Sequence, residues 1–201
     1  MIGIIDYGLG NVQSFINSYR ILGITAIPVR VKSDYKNVDK VILPGVGSFD
    51  SAIERLSNSE LFQDLQYLVT NNHLPILGVC VGLQIMARRS EEGEKNGLGW
   101  LDADVKTIKN SANLPLPHMG WNEISVKDKN IKLLDKVDKC RFYFLHSFYL
   151  SMDNQDDQIA TTYYGDSLTA AASKNNIYGC QFHPEKSHDS GLKILENFEK
   201  I

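Results

Sequence analysis

Apolar residues recur along the first half of the chain in two alternating rhythms. Ile2–Ile5 is a short run without a charged break, the pattern of a strand buried on both faces. Val12, Phe15, Ile16, Tyr19 and Leu22 then repeat at helical spacing, with Asn11 placed to cap the start and Gly23 to stop the end. Ile24–Val31 and Lys40–Leu43 read as two further strands, the second closed by Pro44-Gly45-Val46-Gly47. Helical spacing returns through about residue 70, Pro75–Val79 is again a buried-strand run, and a helix is expected to start near Val81. Strand and helix in this alternation predict a parallel sheet with helices on both faces, because each parallel return needs a crossover.

The second half changes rhythm. Val105–Ile108, Glu123–Val126, Phe142–Leu150, Ile159–Tyr164, Thr169–Ser173 and Ile177–Phe182 are strand candidates with few helices between them. A helix from about Asp189 to Lys200 closes the chain. The expected fold is therefore α/β, with a mixed, mostly parallel central sheet. The polar stretches Glu91–Gly99 and Asp153–Gln158 read as surface loops, too short to separate domains. With 201 residues, one domain over 1–201 is expected.

Charge and composition narrow the function classes. The 21 basic and 24 acidic residues leave a net charge of −3, and no long basic run appears, so no nucleic-acid partner is expected. Nothing approaches the ~18 apolar residues of a membrane span, and the start lacks a basic leader region. No membrane association is expected, and the cytoplasm is the expected compartment. Three cysteines, at 80, 140 and 180, make a poor disulfide framework and a poor zinc site. No metal and no cofactor are expected.

Two local patterns carry chemistry. Gly78-Val79-Cys80-Val81-Gly82 is a G-x-C-x-G placed between a strand and a helix, the spacing of a nucleophile elbow. Small flanking residues permit the tight turn that lifts the sulfur clear of the sheet. The helix N-terminus would favour a thiolate, and the Val81 N–H would await an oxyanion. Gln181-Phe182-His183-Pro184-Glu185 follows the last strand. Pro184 pushes His183 towards an extended conformation, in which His183 and Glu185 would point to the same side. Glu185 would then orient His183 as a base for Cys80. Either pattern alone has a bland reading: a small buried cysteine, a surface ion pair. Cys140 and Cys180 lack the elbow and read as structural, and His73 and His188 lie in a polar turn and near a helix start. Pro44-Gly45-Val46-Gly47 lacks the third glycine of a phosphate-binding loop, but its glycines permit unusual backbone angles close to a ligand.

Leu77-Gly-Val-Cys80-Val-Gly-Leu-Gln84 together with Gln181-Phe-His183-Pro-Glu185 resembles the class I (triad) glutamine amidotransferases. More narrowly, the chain is similar to the glutaminase subunits of imidazole glycerol phosphate synthases. The matching segments include Asp6-Tyr-Gly-Leu-Gly-Asn11, Leu43-Pro-Gly-Val-Gly47, Ser90-Glu-Glu92, Pro117-His-Met-Gly-Trp-Asn122, Tyr143-Phe-Leu-His-Ser147 and His183-Pro-Glu-Lys-Ser187, in the family's order. The resemblance implies roles. Cys80 attacks the side-chain amide of L-glutamine, and His183 passes a proton to the departing ammonia. Val81 and Val46 supply the oxyanion N–H groups, the latter after a peptide rearrangement. Gly47, Gln84, Glu92, Ser147 and Phe148 hold the glutamine. Asn11, Met119, Trp121, Asn122 and Lys186 face a cyclase subunit with a (β/α)8 barrel, the implied partner in a heterodimer. Ammonia passes to that partner, which makes imidazole glycerol phosphate and the aminoimidazole carboxamide ribotide of histidine biosynthesis.

Leu114-Pro115-Leu116 stands where histidine-pathway members often carry a basic residue. That wording is similar to a paralogous branch whose ammonia goes to amidino sugars of surface polysaccharides. A free-standing thiol hydrolase and a regulatory module with a dead site are the readings from other classes. The 117–122 segment argues against the first and the intact triad against the second.

Overall fold

The computed structural model describes residues 1–109, 113–128 and 130–201. The expected parallel half is present. Strands β1 (Ile2–Ile5), β2 (Ala26–Val29), β3 (Lys40–Gly45) and β4 (Ile76–Cys80) alternate with helices α1 (Val12–Ile21), α2 (Phe49–Ser57) and α3 (Phe62–Thr70). Asn11 caps α1 by accepting a hydrogen bond from Ser14 N, and Ser48 caps α2 through Ser51 N. One turn of helix, α4 (Val81–Gln84), follows β4 directly.

Seven strands follow: β5 (Ala103–Thr107), β6 (His118–Val126), β7 (Arg141–His146), β8 (Phe148–Met152), β9 (Gln158–Tyr163), β10 (Ser167–Lys174) and β11 (Ile177–Cys180). Helix α5 (His188–Glu199) ends the fold. The central sheet runs β2-β1-β3-β4-β11-β10-β9-β6-β7. Its first five strands are mutually parallel, and every later neighbour pairs antiparallel. α1 packs with α5, while α2 packs with α3 and α4, and a continuous apolar core fills the layers. A separate two-stranded ribbon pairs β5 with β8. No helix among the described residues is long and apolar enough to cross a membrane.

Two expectations needed correction. Phe142–Leu150 is two strands, not one, because the chain changes sheet at Ser147: β7 pairs with β6, whereas β8 pairs with β5. The strand expected at Glu123–Val126 begins five residues earlier, at His118. Its first part buries His118 and exposes Met119 and Trp121, the inverse of ordinary amphipathic alternation.

Candidate active site

The neighbouring parallel strands β3, β4 and β11 all end at one edge of the sheet. Gly45 is in register with Cys80, and Val79 with Cys180. Three sequence-distant segments, 44–47, 80–84 and 181–187, therefore meet at the carboxyl ends of parallel strands, where open α/β sheets place their ligands.

Cys80 ends β4 with φ 55° and ψ −114°, and α4 begins at the next residue. A left-handed φ at a non-glycine residue costs about 1–3 kcal/mol and persists only when its surroundings enforce it. The enforcement is close packing. A Cβ on Gly82 would lie 2.0 Å from Leu43 O, and one on Gly45 would lie 2.1 Å from Gly82 N. Only bare backbone fits where β3 crosses the elbow. The helix expected after Cys80 is a single turn, because bonds beyond Gln84 tighten (Met86 N to Leu83 O, Ala87 N to Gln84 O) and Arg88 N leaves for Ala103 O. Only the N–H groups of one turn are therefore left to favour a thiolate.

His183 is extended, with φ −100° and ψ 95°, and its N–H donates to Tyr143 O at 2.9 Å. Glu185 reaches it by another route than the one expected. Residues Pro184–Lys186 form a 3-10 turn, so Glu185 is carried back onto the ring rather than lying two places along a strand. Ser187 pins this turn: its hydroxyl donates to His183 O at 2.6 Å and accepts from Tyr143 N at 2.9 Å. His183 Nδ1 and Glu185 Oε1 are 2.9 Å apart, with side chains only 3% and 4% exposed. Burial disfavours the imidazolium. Hydrogen bonds to Cys80 and Glu185 and their negative charge outweigh burial and raise the His183 pKa to about 10.

Cys80 and His183 border a cavity of about 280 Å3. Every position expected to hold glutamine or its oxyanion borders it too: Val46, Gly47, Val81, Gln84, Glu92, Ser147 and Phe148. Glu92 Oε2 accepts from Phe49 N at 2.8 Å, which ties its loop to the start of α2. Gln84 Nε2 donates to Phe148 O at 2.9 Å and to Gln181 Oε1 at 3.0 Å. Gln181 is wholly buried, and its Nε2 lies 3.8 Å from the Cys80 sulfur. The sequence motifs assign Gln181 no role. Its signal was a polar residue between apolar Cys180 and Phe182 at the end of a buried strand. His146 also lines the cavity and was likewise given no role.

The other thiols are separate from this chemistry. All three cysteines are unpaired. Burial first, then the charges of Glu185 and Cys80, hold the Cys180 thiol well above its ordinary pKa. Among the described residues no group of His, Cys, Asp and Glu could hold a metal ion.

Four of the five residues expected to face a partner are exposed. Met119 and Trp121 stand out from β6, Lys186 holds its Nζ 5.8 Å from the Tyr143 ring centroid, and Asn11 sits at the start of α1. Trp121 stacks on His188 with ring centroids 5.2 Å apart. Asn122 is different. Its amide turns inward, to His118 Nε2 at 3.1 Å and Tyr163 O at 2.9 Å.

Known proteins match this arrangement along its whole length. The family profile described as glutamine amidotransferase class-I matches residues 3–201. The imidazole glycerol phosphate synthase subunit HisH of Leptospira interrogans is 44% identical over 204 residues, covering 100% of both chains. The subunit of the same name from Bdellovibrio bacteriovorus is 43% identical, again covering 100% of both. A solved glutamine amidotransferase structure superposes with a TM-score of 0.75 at 20% identity, covering 98% of each chain, and so shares the fold.

Proposed function

Because the chain belongs to the class I glutamine amidotransferases, and within them to the HisH-type subunits, we propose that it hydrolyses L-glutamine and passes the ammonia to a cyclase subunit of imidazole glycerol phosphate synthase. The observation that carries the reading is the constellation at the cavity: a cysteine held in a left-handed elbow borders the same cavity as a buried histidine whose Nδ1 lies 2.9 Å from Glu185.

The chemistry follows from those positions. Cys80 as thiolate attacks the carboxamide carbon of the glutamine side chain, and the carbonyl electrons move onto oxygen. Val81 N–H, with Val46 N–H from the loop after β3, stabilises that oxyanion. The C–N bond then breaks as His183 gives its proton to the leaving nitrogen, so ammonia departs and a thioester remains. His183, neutral again, takes a proton from water, whose oxygen attacks the thioester. Glutamate leaves and Cys80 recovers its thiolate. Glu185 holds the ring orientation and offsets the imidazolium charge throughout. Gly47, Gln84, Glu92, Ser147 and Phe148 hold the glutamine, in keeping with their place on the cavity wall.

The exposed apolar side chains of Val46, Met119, Trp121 and Leu145 support a partner seated over the cavity mouth. That partner is a (β/α)8 cyclase, and its products are imidazole glycerol phosphate and the aminoimidazole carboxamide ribotide of histidine biosynthesis. The pair works in the cytoplasm, in keeping with three unpaired thiols. Passing ammonia between subunits keeps it unprotonated and nucleophilic.

The test uses the chain with its cyclase partner. Cys80→Ser should release no measurable glutamate, because a hydroxyl is a far weaker nucleophile than a thiolate at neutral pH. The same complex should still turn over with ammonium salts at raised pH. Glutamine-dependent turnover by Cys80→Ser would remove the proposal's nucleophile.

A further inference from the structure

From the cavity wall into β6 runs a line of hydrogen bonds that the reaction above does not use. Asn122 Nδ2 is 3.1 Å from His118 Nε2, His118 Nδ1 is 2.9 Å from His146 Nε2, and His146 Nδ1 is 2.8 Å from Phe148 O. Both rings are buried, at 3% and 5% exposure. The direction of every bond is fixed by its last member. A carbonyl oxygen only accepts, so His146 Nδ1 must carry a proton. In a neutral ring Nε2 then accepts, so His118 donates from its own Nδ1. His118 Nε2 accepts in turn from the Asn122 amide. Reversing any bond would leave two donors or two acceptors facing each other in a buried site.

We propose that His118 and His146 form a positioning relay that carries the setting of β6 to the glutamine pocket by fixing the carbonyl of Phe148. The inference rests on the glutaminase reading above. Phe148 O is a shared acceptor: Gln84 Nε2 donates to it at 2.9 Å, and Gln84 and Gln181 link onward to the Cys80 sulfur. At the other end, His118 and Asn122 alternate along β6 with Met119 and Trp121, whose side chains are exposed. One strand thus presents an apolar surface outward and the head of the relay inward. Burial supports the assignment by holding both rings neutral, with pKa values lowered to about 4 for His118 and about 3 for His146. The His118 and His183 rings add to that lowering at His146, against the bond to Phe148 O.

His118 also has a packing role that must be separated from this one. Its ring stacks on Phe144 at 4.8 Å and on Tyr164 at 4.1 Å between centroids. His118→Phe keeps an aromatic ring in that stack but removes the donor to His146. His118→Asn loses the ring but keeps an amide donor near the Nδ1 position. Steady-state glutamate release by the complex with its partner subunit distinguishes them. Losing one such bond is expected to raise the KM for glutamine in His118→Phe about fivefold, with kcat within about twofold. His118→Asn should stay within about twofold of the wild-type KM. An unchanged KM in His118→Phe, or a His118→Asn variant as impaired as His118→Phe, would overturn the relay and leave packing as the role. A wild-type complex that releases no glutamate would instead overturn the glutaminase reading.

A second measurement needs no variant. Nitrogen-15 NMR of the histidine rings in the wild-type chain at pH 7 should show His118 and His146 both neutral and both protonated at Nδ1. Either ring in the other tautomer, or as imidazolium, overturns the relay.

Discussion

At His183 two forces oppose each other. Burial alone would strip the imidazole of its second proton, while Cys80 and Glu185 hold that proton in place, and the partners prevail. His183 and Glu185 are not equivalent in the proposed chemistry. In that reaction His183 would transfer protons, whereas Glu185 would only orient and stabilise the ring that does so. His183→Asn should therefore lose ~10²–10⁴-fold in glutamate release. Glu185→Gln should keep on the order of tens of times more activity, the ordering seen when triad members are removed singly. Single-turnover glutamate release would measure both, and equal damage would assign Glu185 a direct part in proton transfer. The meeting of Cys80, His183 and Glu185 was legible in the sequence because each lies in a short local motif. The inward turn of Asn122 and the pairing of His118 with His146 were not, because they depend on how β6 sits between β9 and β7.

Elements are set by how backbones approach, and glycine marks the closest approach. The elbow at Cys80 exists because β3 passes over α4 with no room for a side chain at Gly82. Gly82→Ala should cost about 1–3 kcal/mol by overpacking, which lowers Tm by roughly 2–12 °C in a chain of this size. Thermal unfolding checks this, and an unchanged Tm would mean that Leu43 O yields to the new methyl group. The sequence showed β1, β3, β4 and α1 well because each follows one simple period. It merged β7 with β8 because Phe142, Phe144, His146, Leu150 and Met152 keep the buried alternation in phase across the corner at Ser147. It missed the start of β6 because that segment reverses the usual rule, with apolar side chains outward and polar ones inward. The reversal is itself informative, since it lies on the segment that links the exposed apolar surface to the pocket.

Across the whole molecule the sheet divides the work. Its parallel half delivers the loop at 44–47, the elbow and the His183 segment to one edge, as adjacent strand ends must. Its antiparallel half, through β6 and β7, supplies the far wall with His146 and Ser147 and the exposed Met119 and Trp121. The fold class was legible because alternating strands and helices leave few packings open, whereas the meeting of the two halves required the strand order. Everything proposed here turns on Cys80 as the group that meets glutamine. A glutamine analogue with an electrophilic ketone in place of the amide tests this most directly, applied to the chain with its partner and read by intact mass and peptide mapping. A single adduct is expected, on Cys80, formed more slowly when glutamine is in excess. An adduct on Cys140 or Cys180, no adduct, or labelling that glutamine does not slow would contradict it.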